Sequence, residues 1–275
     1  MTSSTPDALW SSPAVRALRP AAVEVRGVRT RRGDLRGIDL SVPVGARLLL
    51  VSQPEDVATT LVRILAGVAR PAGGTLSIAG LRWREAADGW GRRVGYVGPA
   101  TGVYPWLSPR EALSLAARLA GLERGDAEER VEDALDRMGV GRDATRPIGR
   151  GGPPVAQKVA LAAALITDPE VLLADEPLRS VDPAERRRLL TLPGRRRTLV
   201  LASRYPASEE GLVNQVALIR DGRLAAHAAV DELAARDLPF NARGIEALAD
   251  MRVGRAPALG APSAPVATHA DLRPR

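Results

Sequence analysis

Two adjacent acids, Asp175 and Glu176, end the apolar run of residues 171–174, and a turn closed by Asp182 and a proline follows them. The chain has no cysteine, which excludes a thiol nucleophile, a disulfide framework and a cysteine-based metal site. Its one lysine is Lys158. The carboxylates at the end of the apolar run are therefore the first candidates for chemistry, and the elements around them decide what that chemistry is.

Apolar periodicity predicts the elements that position these acids. Strands are expected near residues 23–25, 38–42, 47–51, 75–79, 93–97, 171–174 and 198–202, with a hairpin around 221–222. Helices are expected at about 57–68, 109–121, 127–139, 159–166 and 184–192, with a Gly/Pro loop at 149–154. Strands that alternate with helices, interrupted by a helical insertion, predict an α/β domain with a helical subdomain.

Composition predicts where that domain begins and ends in the sequence. Residues 1–20 are rich in Ser, Pro and Ala and are expected to be disordered; residues 21–237 form the domain, with the helical subdomain at about 103–157. Residues 238–275 are expected to be a mostly disordered tail. No apolar run reaches the roughly 18 to 20 residues that span a bilayer, and the N-terminus does not resemble a secretory signal. These features predict a soluble cytoplasmic protein.

The chain is strongly basic, with a formal charge of +7 and a pI of about 10.8. Such a balance can indicate nucleic-acid binding. Aromatic residues make up only 3% of the chain, however, so stacking platforms for single strands are scarce. Arginine outnumbers lysine 38 to one, and Ala, Gly and Pro are abundant, as GC-rich codons would produce. We therefore attribute the charge to genome composition and expect no nucleic-acid partner.

Five ordered stretches between about residues 23 and 233 resemble the nucleotide-binding domain of ABC transporters. They are residues 61–67 with 71–74, 102–107, 168–177 and 216–224, together with the Asp175-Glu176-Pro177 and Asp182-Pro183 pattern of a Walker B strand and D-loop. The resemblance implies an ABC-type P-loop NTPase-like core with an N-terminal antiparallel β element and a helical subdomain. It also implies ATP and Mg²⁺ as cofactors.

The segment that resembles a Walker A loop departs from the pattern G-x-x-x-x-G-K-[ST] that cradles phosphates. Ser52 and Val57 take the glycine positions, Ala58 replaces the lysine, and Thr59 and Thr60 keep the hydroxyls. The intervening residues 53–56 include Pro54, which has no backbone donor, and the acids Glu55 and Asp56. Two like charges about 4 Å apart repel by roughly 4 kcal/mol at an effective dielectric near 20. We therefore expect ATP binding to be weak or absent.

Other nucleotide-handling positions depart in the same way. Arginines occupy the position of the base-stacking aromatic, at Arg31 and Arg32, and Pro99 occupies that of the Q-loop glutamine. Arg204 takes the place of the switch histidine. The signature motif aligns around Arg150, Gly151 and Gly152, followed by two prolines, and neither possible register supplies its serine.

Among the family's nucleotide-handling positions, the acids are the main ones that this chain keeps. The resemblance implies that Asp175, with Thr59, holds Mg²⁺, that Glu176 is the general base, and that Asp182 lies at a subunit interface. The alternative is that Asp175 and Glu176 only shape the end of the strand. We favour that alternative and expect the Mg²⁺ position to be vacant and Glu176 to be inactive.

Three functions follow from these residues. The favoured one is a pseudo-ATPase subunit that scaffolds or regulates a membrane transporter, as a homodimer or with another ABC ATPase subunit, at the inner face of the membrane. The second is an ATP-hydrolysing transporter subunit with an atypical loop, and the third is a ribosome- or nucleic-acid-associated ABC protein. Tyr104 and Trp106 are candidates for contact with a membrane permease; alternatively, Trp106 packs under the helix at 109–121.

Overall fold

Two β-sheets organise the part of the chain that this computed structural model describes, residues 21–83, 87–191 and 197–253. The first sheet is antiparallel and has the order β2-β1-β4-β5. Its strands are β1 (Ala21–Arg29), β2 (Arg36–Pro43), β4 (Gly73–Ile78) and β5 (Leu81–Arg82). This sheet is the predicted antiparallel β element, and apolar residues that alternate along β1 and β2 give it one buried face.

The second sheet has six strands in the order β10-β9-β3-β8-β7-β6. They are β3 (Arg47–Gln53), β6 (Val94–Val97), β7 (Val171–Asp175), β8 (Thr198–Ala202), β9 (Gln215–Arg220) and β10 (Arg223–Ala229). All neighbours pair in parallel except β9 and β10, which form an antiparallel hairpin. Every residue of β7 and β8 is buried, which explains their continuous apolar sequences. The carboxyl ends of β3, β7 and β8 therefore meet at one edge.

Helices cover this sheet and form the insertion. They are α1 (Asp56–Leu65), α2 (Ala87–Arg93), α3 (Pro109–Leu119), α4 (Arg124–Arg137), α5 (Ile148–Leu165), α6 (Pro183–Leu190), α7 (Asp231–Ala234) and α8 (Ala242–Val253). The helical subdomain consists of α3, α4 and α5, in which α3 packs against both of the other helices. Its first helix begins where the sequence predicts, because Ser108 and Glu111 form a reciprocal capping box. None of the helices in the described part of the chain combines the length and the hydropathy of a membrane span.

Two hydrophobic clusters hold these layers together. One lies between the parallel sheet and the helical subdomain and includes Leu113, Val131 and Leu161. The other lies between the two sheets and surrounds α1, whose Leu61 and Leu65 are fully buried. The α/β fold with an antiparallel element and a helical subdomain, predicted from the sequence, is confirmed.

Two sequence predictions need correction. Within the segment expected to be a mostly disordered tail, residues 242–253 form α8, which buries Ile245, Leu248 and Ala249. Its apolar stripe is short and interrupted, so periodicity did not reveal it. The predicted loop at 149–154 is instead the first part of α5, bent at Gly152 (φ 69°, ψ −168°). Residues 1–20 and 254–275, and residue 192 of the helix expected at 184–192, lie outside the described residues.

Candidate functional site

Three connections meet where β3, β7 and β8 end. They are the 52–58 loop, which includes the end of β3 and the first residues of α1, the 176–182 loop after β7 and the 203–209 segment after β8. Parallel strands place such connections at one edge of a sheet, and this edge is where open α/β sheets bind ligands. Asp175 is directly opposite Ala202 in the pairing of β7 with β8, so the last two connections start side by side.

The 52–58 loop is hydrogen-bonded to itself. Ser52 Oγ accepts a hydrogen bond of 2.8 Å from the backbone N–H of Ala58 and donates one of 3.0 Å to the carbonyl of Glu55. The backbone N–H of Val57 donates to the carbonyl of Pro54 at 3.3 Å. These donors lie in the first turn of α1, where free N–H groups ordinarily bind anions. Here the chain's own oxygens occupy two of them.

The charged groups around this loop are acidic. Glu55 and Asp56 are exposed and form no ion pair within the described part of the chain, whereas the Ala58 side chain is buried. The one lysine, Lys158, lies on α5 and pairs with Glu185 of α6 at 2.6 Å, so it stabilises the packing of two helices. The loop therefore offers two carboxylates and no ammonium group.

Thr59 and Asp175 meet directly. The Thr59 hydroxyl donates to Asp175 Oδ1 at 2.9 Å, while Asp175 Oδ2 is buried and has no hydrogen-bond partner among the described residues. Burial raises the pKa of Asp175, and the charge of Glu176 adds to this effect; the Thr59 hydrogen bond and nearby arginines oppose it. Thr60 Oγ1 lies 3.3 Å from Asp34 Oδ2, which connects α1 to the turn between β1 and β2.

Replacing Asp175 with asparagine is expected to stabilise the protein near pH 7. Because its pKa is raised, the folded state binds this proton more tightly than the unfolded chain, and ionisation costs stability as the pH rises above the ordinary value of 3.8. The amide removes that charge and can still accept from Thr59. We expect the free energy of unfolding, measured by urea titration, to increase by about 1 kcal/mol.

The gain should shrink as the pH is lowered toward the ordinary carboxyl pKa, where the wild-type side chain is protonated as well. Asp56→Asn is the matched control, because this neighbouring acid is exposed, and its stability should change little at either pH. A loss of stability in Asp175→Asn near pH 7 would show that the ionised carboxylate is favourable in the folded state.

Glu176 is paired with two arginines. One carboxylate oxygen, Oε1, accepts the backbone N–H of Arg204 at 2.5 Å and lies 3.6 Å from its guanidinium. The other, Oε2, accepts from Arg179. The side chain is 9% exposed. Both carboxylate oxygens are engaged with groups of the chain, so neither is free to accept a hydrogen bond from an attacking water, and this arrangement opposes the role of general base.

A buried ion pair lies behind this carboxylate and was not predicted from the sequence. Arg186 of α6 binds Glu209 through two parallel hydrogen bonds of 2.8 and 3.0 Å, and its Nε donates to the carbonyl of Pro177 at 2.9 Å. The side chains of Arg186 and Glu209 are 8% and 0% exposed. Three arginines in the short stretch 186–188 look alike in the sequence, so no local signal distinguishes the buried one.

The residues aligned with the signature motif lie at the start of α5. Arg150 and Gly151 are exposed, and the helix bends at Gly152. Pro153 and Pro154 follow the bend, and neither has a backbone N–H, so the new helical segment begins without two of its usual donors. In the described residues these positions form no hydrogen bond with the 52–58 loop of the same chain.

The remaining candidates lie at the surface. Asp182 caps α6, accepting from the backbone N–H groups of Ala184 and Glu185 at 2.9 and 3.1 Å, so it has a local structural role.

Tyr104 and Trp106 are 51% and 68% exposed, and their rings lie 4.9 Å apart. Trp106 therefore does not pack under α3, which contradicts that alternative.

The structure thus places most predicted site residues at one sheet edge. Ser52, Ala58, Thr59, Asp175 and Glu176 lie at the ends of β3 and β7 and the start of α1. The positions aligned with the signature motif and the two aromatic residues belong to the helical subdomain instead. Arginines at 31 and 32 are exposed at the turn after β1, and Pro99 is exposed after β6.

Sequence comparisons point to one family. The family model described as ABC transporter matches residues 35–179. The daunorubicin resistance ATP-binding protein DrrA3 of Streptomyces coeruleorubidus is 30% identical over 221 residues, which cover 78% of this chain and 70% of that protein. The Nod factor export ATP-binding protein I of Burkholderia orbicola (strain AU 1054) is 30% identical over 216 residues, covering 76% of this chain and 71% of that protein.

Solved structures agree on the fold. One described as the ATP-binding subunit of an ABC transporter superposes with a TM-score of 0.69 at 21% identity, covering 85% of this chain and 98% of that chain. A dimeric ATP-binding cassette in a post-hydrolysis state, bound to ADP and Pi, gives a TM-score of 0.65 at 17% identity, covering 76% and 98%. At these identities the likeness shows the fold alone.

Proposed function

This chain belongs to the ABC transporter family, as an ATP-binding-type subunit, and from that premise we propose that it is a pseudo-ATPase that scaffolds or regulates a membrane transporter. The observation that carries the proposal is the 52–58 loop. Its backbone donors at Val57 and Ala58 are bonded to oxygens of the same loop, and two carboxylates stand where phosphates would need cations. The residues present do not fit a triphosphate.

The Mg²⁺ position supports the same conclusion. Thr59 and Asp175 are suited to a hard cation, and the buried Asp175 Oδ2, which has no hydrogen-bond partner among the described residues, is a free acceptor. Protein-bound Mg²⁺, however, is commonly held by one or two carboxylates together with substrate phosphates. A loop that does not bind phosphate leaves this ligand set incomplete. Glu176, engaged with Arg179 and Arg204, is not available to accept a proton from water.

A composite site in a dimer would meet a second obstacle. In head-to-tail ABC dimers, each nucleotide lies between one subunit's Walker A loop and the other's signature motif. Pro153 and Pro154 remove two donors from the segment of this chain that aligns with the signature. A partner with an intact Walker A loop would therefore face a helix start with fewer N–H groups for its phosphates.

The partners in this proposal are a membrane permease and a second ABC subunit, either another copy or a different chain. Two relatives are named as export or resistance ATP-binding proteins, and one solved structure with the same fold is dimeric. The exposed pair Tyr104 and Trp106 offers an apolar, aromatic surface of the kind found at interface centres. We place the subunit at the inner face of the membrane, in contact with the permease through this pair.

An ATP-hydrolysing subunit with an atypical loop is the second candidate. Two observations favour it: the relatives carry names of ordinary ATP-binding proteins, and this chain keeps Thr59, Asp175 and Glu176 at one sheet edge. It requires the loop to give up its internal hydrogen bonds and Glu176 to release two arginines when nucleotide arrives.

Calorimetry of the purified protein with ATP, with and without Mg²⁺, distinguishes the two candidates. We expect no saturable heat, which corresponds to a Kd weaker than about 1 mM. We also expect turnover below about 0.1 s⁻¹, well under the usual enzyme range. Binding tighter than about 100 μM, or turnover above that rate that Glu176→Gln abolishes, would establish the ATPase instead.

A further inference from the structure

Arg179 connects two segments of the site, the 176–182 loop and the 203–209 segment, through one guanidinium group. It extends from the 176–182 loop across the ends of β7 and β8 and is 28% exposed. Its partners are Glu176 Oε2, Ser203 Oγ at 2.6 Å, Ser208 Oγ at 3.2 Å, Glu209 Oε1 at 3.4 Å and the Tyr205 ring, whose centroid is 5.1 Å away. A planar guanidinium suits such a set because its five donors point in fixed directions.

The loop that Arg179 holds has an unfavourable backbone. Glu176 and Leu178 adopt left-handed conformations, with φ of 49° and 56°. Each such residue costs roughly 1 to 3 kcal/mol and persists only where surrounding contacts impose it. The contacts that impose this conformation include the burial of Leu178 and the hydrogen bond from the Glu176 N–H to the carbonyl of Ala202 at 3.0 Å. Arg179, one residue beyond, adds the side-chain contacts that reach the opposite segment.

The buried pair reinforces the same connection. Glu209 accepts from both Arg186 and Arg179, and Arg186 also holds the carbonyl of Pro177. The residues from 176 to 186 and the 203–209 segment are therefore joined through one fully buried carboxylate. In open α/β sheets, connections at neighbouring strand ends are commonly bridged by a bound ligand; here an arginine of the chain bridges them.

We propose that Arg179 is an internal clamp, a positioning residue that fixes the 176–182 loop against the 203–209 segment in one arrangement, with or without nucleotide. The proposal rests on the proposed function, in which no nucleotide is present to link these segments. Its consequence is that Ser180 and Asp182, which lie on the clamped loop, are presented to a partner subunit in a constant conformation.

Hydrogen–deuterium exchange of Arg179→Ala tests the clamp. Without nucleotide, we expect amide exchange in residues 176–182 and 203–209 to accelerate at least about tenfold relative to wild type, because local opening no longer breaks these contacts. Arg187→Ala is the matched control: Arg187 is exposed on α6, forms no ion pair among the described residues, and should leave both segments unchanged. Exchange of the wild-type segments should not respond to millimolar magnesium-ATP.

A second variant covers the case in which Arg179→Ala does not fold. Arg179→Lys keeps the charge without the planar fork and should accelerate exchange in the same two segments by a smaller factor. Exchange within about twofold of wild type in the alanine variant, or acceleration spread evenly over β3 and β8, would overturn the clamp. Slowing of wild-type exchange by magnesium-ATP would instead contradict the proposed function, so the two failures are distinguishable.

Discussion

Replacing Glu209 with alanine should lower the free energy of unfolding by about 3 to 5 kcal/mol, the range for breaking a buried ion pair by removing one partner. The carboxylate is fully buried and accepts two hydrogen bonds from Arg186 and one from Arg179. Among the described residues, its removal leaves the buried Arg186 guanidinium with only the carbonyl of Pro177 as a partner. Urea unfolding followed by circular dichroism provides the measurement.

Glu210→Ala is the matched control for this effect. The next residue along the chain is exposed and forms no ion pair within the described residues, so its loss should change stability by less than about 0.5 kcal/mol. The joint replacement Arg186→Met with Glu209→Leu should recover most of the stability, because an apolar pair leaves no buried charge. A loss below about 1 kcal/mol in Glu209→Ala would show that Arg186 finds other partners or water.

Restoring the lysine alone, with Ala58→Lys, is expected to leave ATP binding undetectable by calorimetry. The Ala58 side chain is buried and its N–H is bonded to Ser52 Oγ, so a new ammonium group would begin in a dry position under a closed loop. Burial without a partner lowers the pKa of a lysine and favours its neutral form. Glu55 and Asp56 would still repel phosphate.

Rebuilding the whole loop should have a large effect. The variant combines five substitutions: Ser52→Gly, Glu55→Gly, Asp56→Ala, Val57→Gly and Ala58→Lys. Together they remove the hydroxyl that accepts from the Ala58 N–H, remove both carboxylates, make the backbone more flexible and supply the cation. We expect ATP to bind this variant at least about 100-fold more tightly than the Ala58→Lys variant, which is roughly 2.7 kcal/mol.

Each other outcome has a definite meaning. Tight binding by Ala58→Lys alone would show that the loop opens readily and that only the lysine was missing. Equal binding by the two variants would place the obstacle outside residues 52–58, with Arg31, Arg32 and the turn around them as the next segment to test. Both variants should have a lower thermal midpoint than wild type, because Val57 and Ala58 are buried, so circular dichroism must show each variant folded at the temperature of the calorimetry.

Most of the fold could be predicted from local sequence patterns. Runs such as residues 171–174 and 199–202 are apolar throughout because both faces of their strands are covered, and that pattern is visible without coordinates. The start of α3 could also be predicted from neighbouring residues, because its capping box involves only Ser108 and Glu111. The order of these elements, with the residues aligned to family motifs, was enough to indicate the ABC family and the missing lysine.

The contacts of the remaining polar residues could be assigned only from the folded structure. Arg179, Arg186 and Arg204 look alike in a chain rich in arginine. The adjacency of β7 and β8 brings Arg179 and Arg186 to Glu209, and Arg204 to Glu176. The partners in these pairs are up to 30 residues apart, so no spacing rule could assign them.

Two further features, the hydrogen bond of Ser52 and helix α8, could not be predicted from the sequence. The sequence showed that Ser52 replaces a glycine, but not that its hydroxyl bonds the N–H of Ala58, because that contact depends on how the chain turns between β3 and α1. Helix α8 escaped prediction because its few apolar residues gain their stability by packing on β9 and β10. Local pattern fixes the elements, whereas side-chain pairing depends on which strands become neighbours, and only the folded chain decides that.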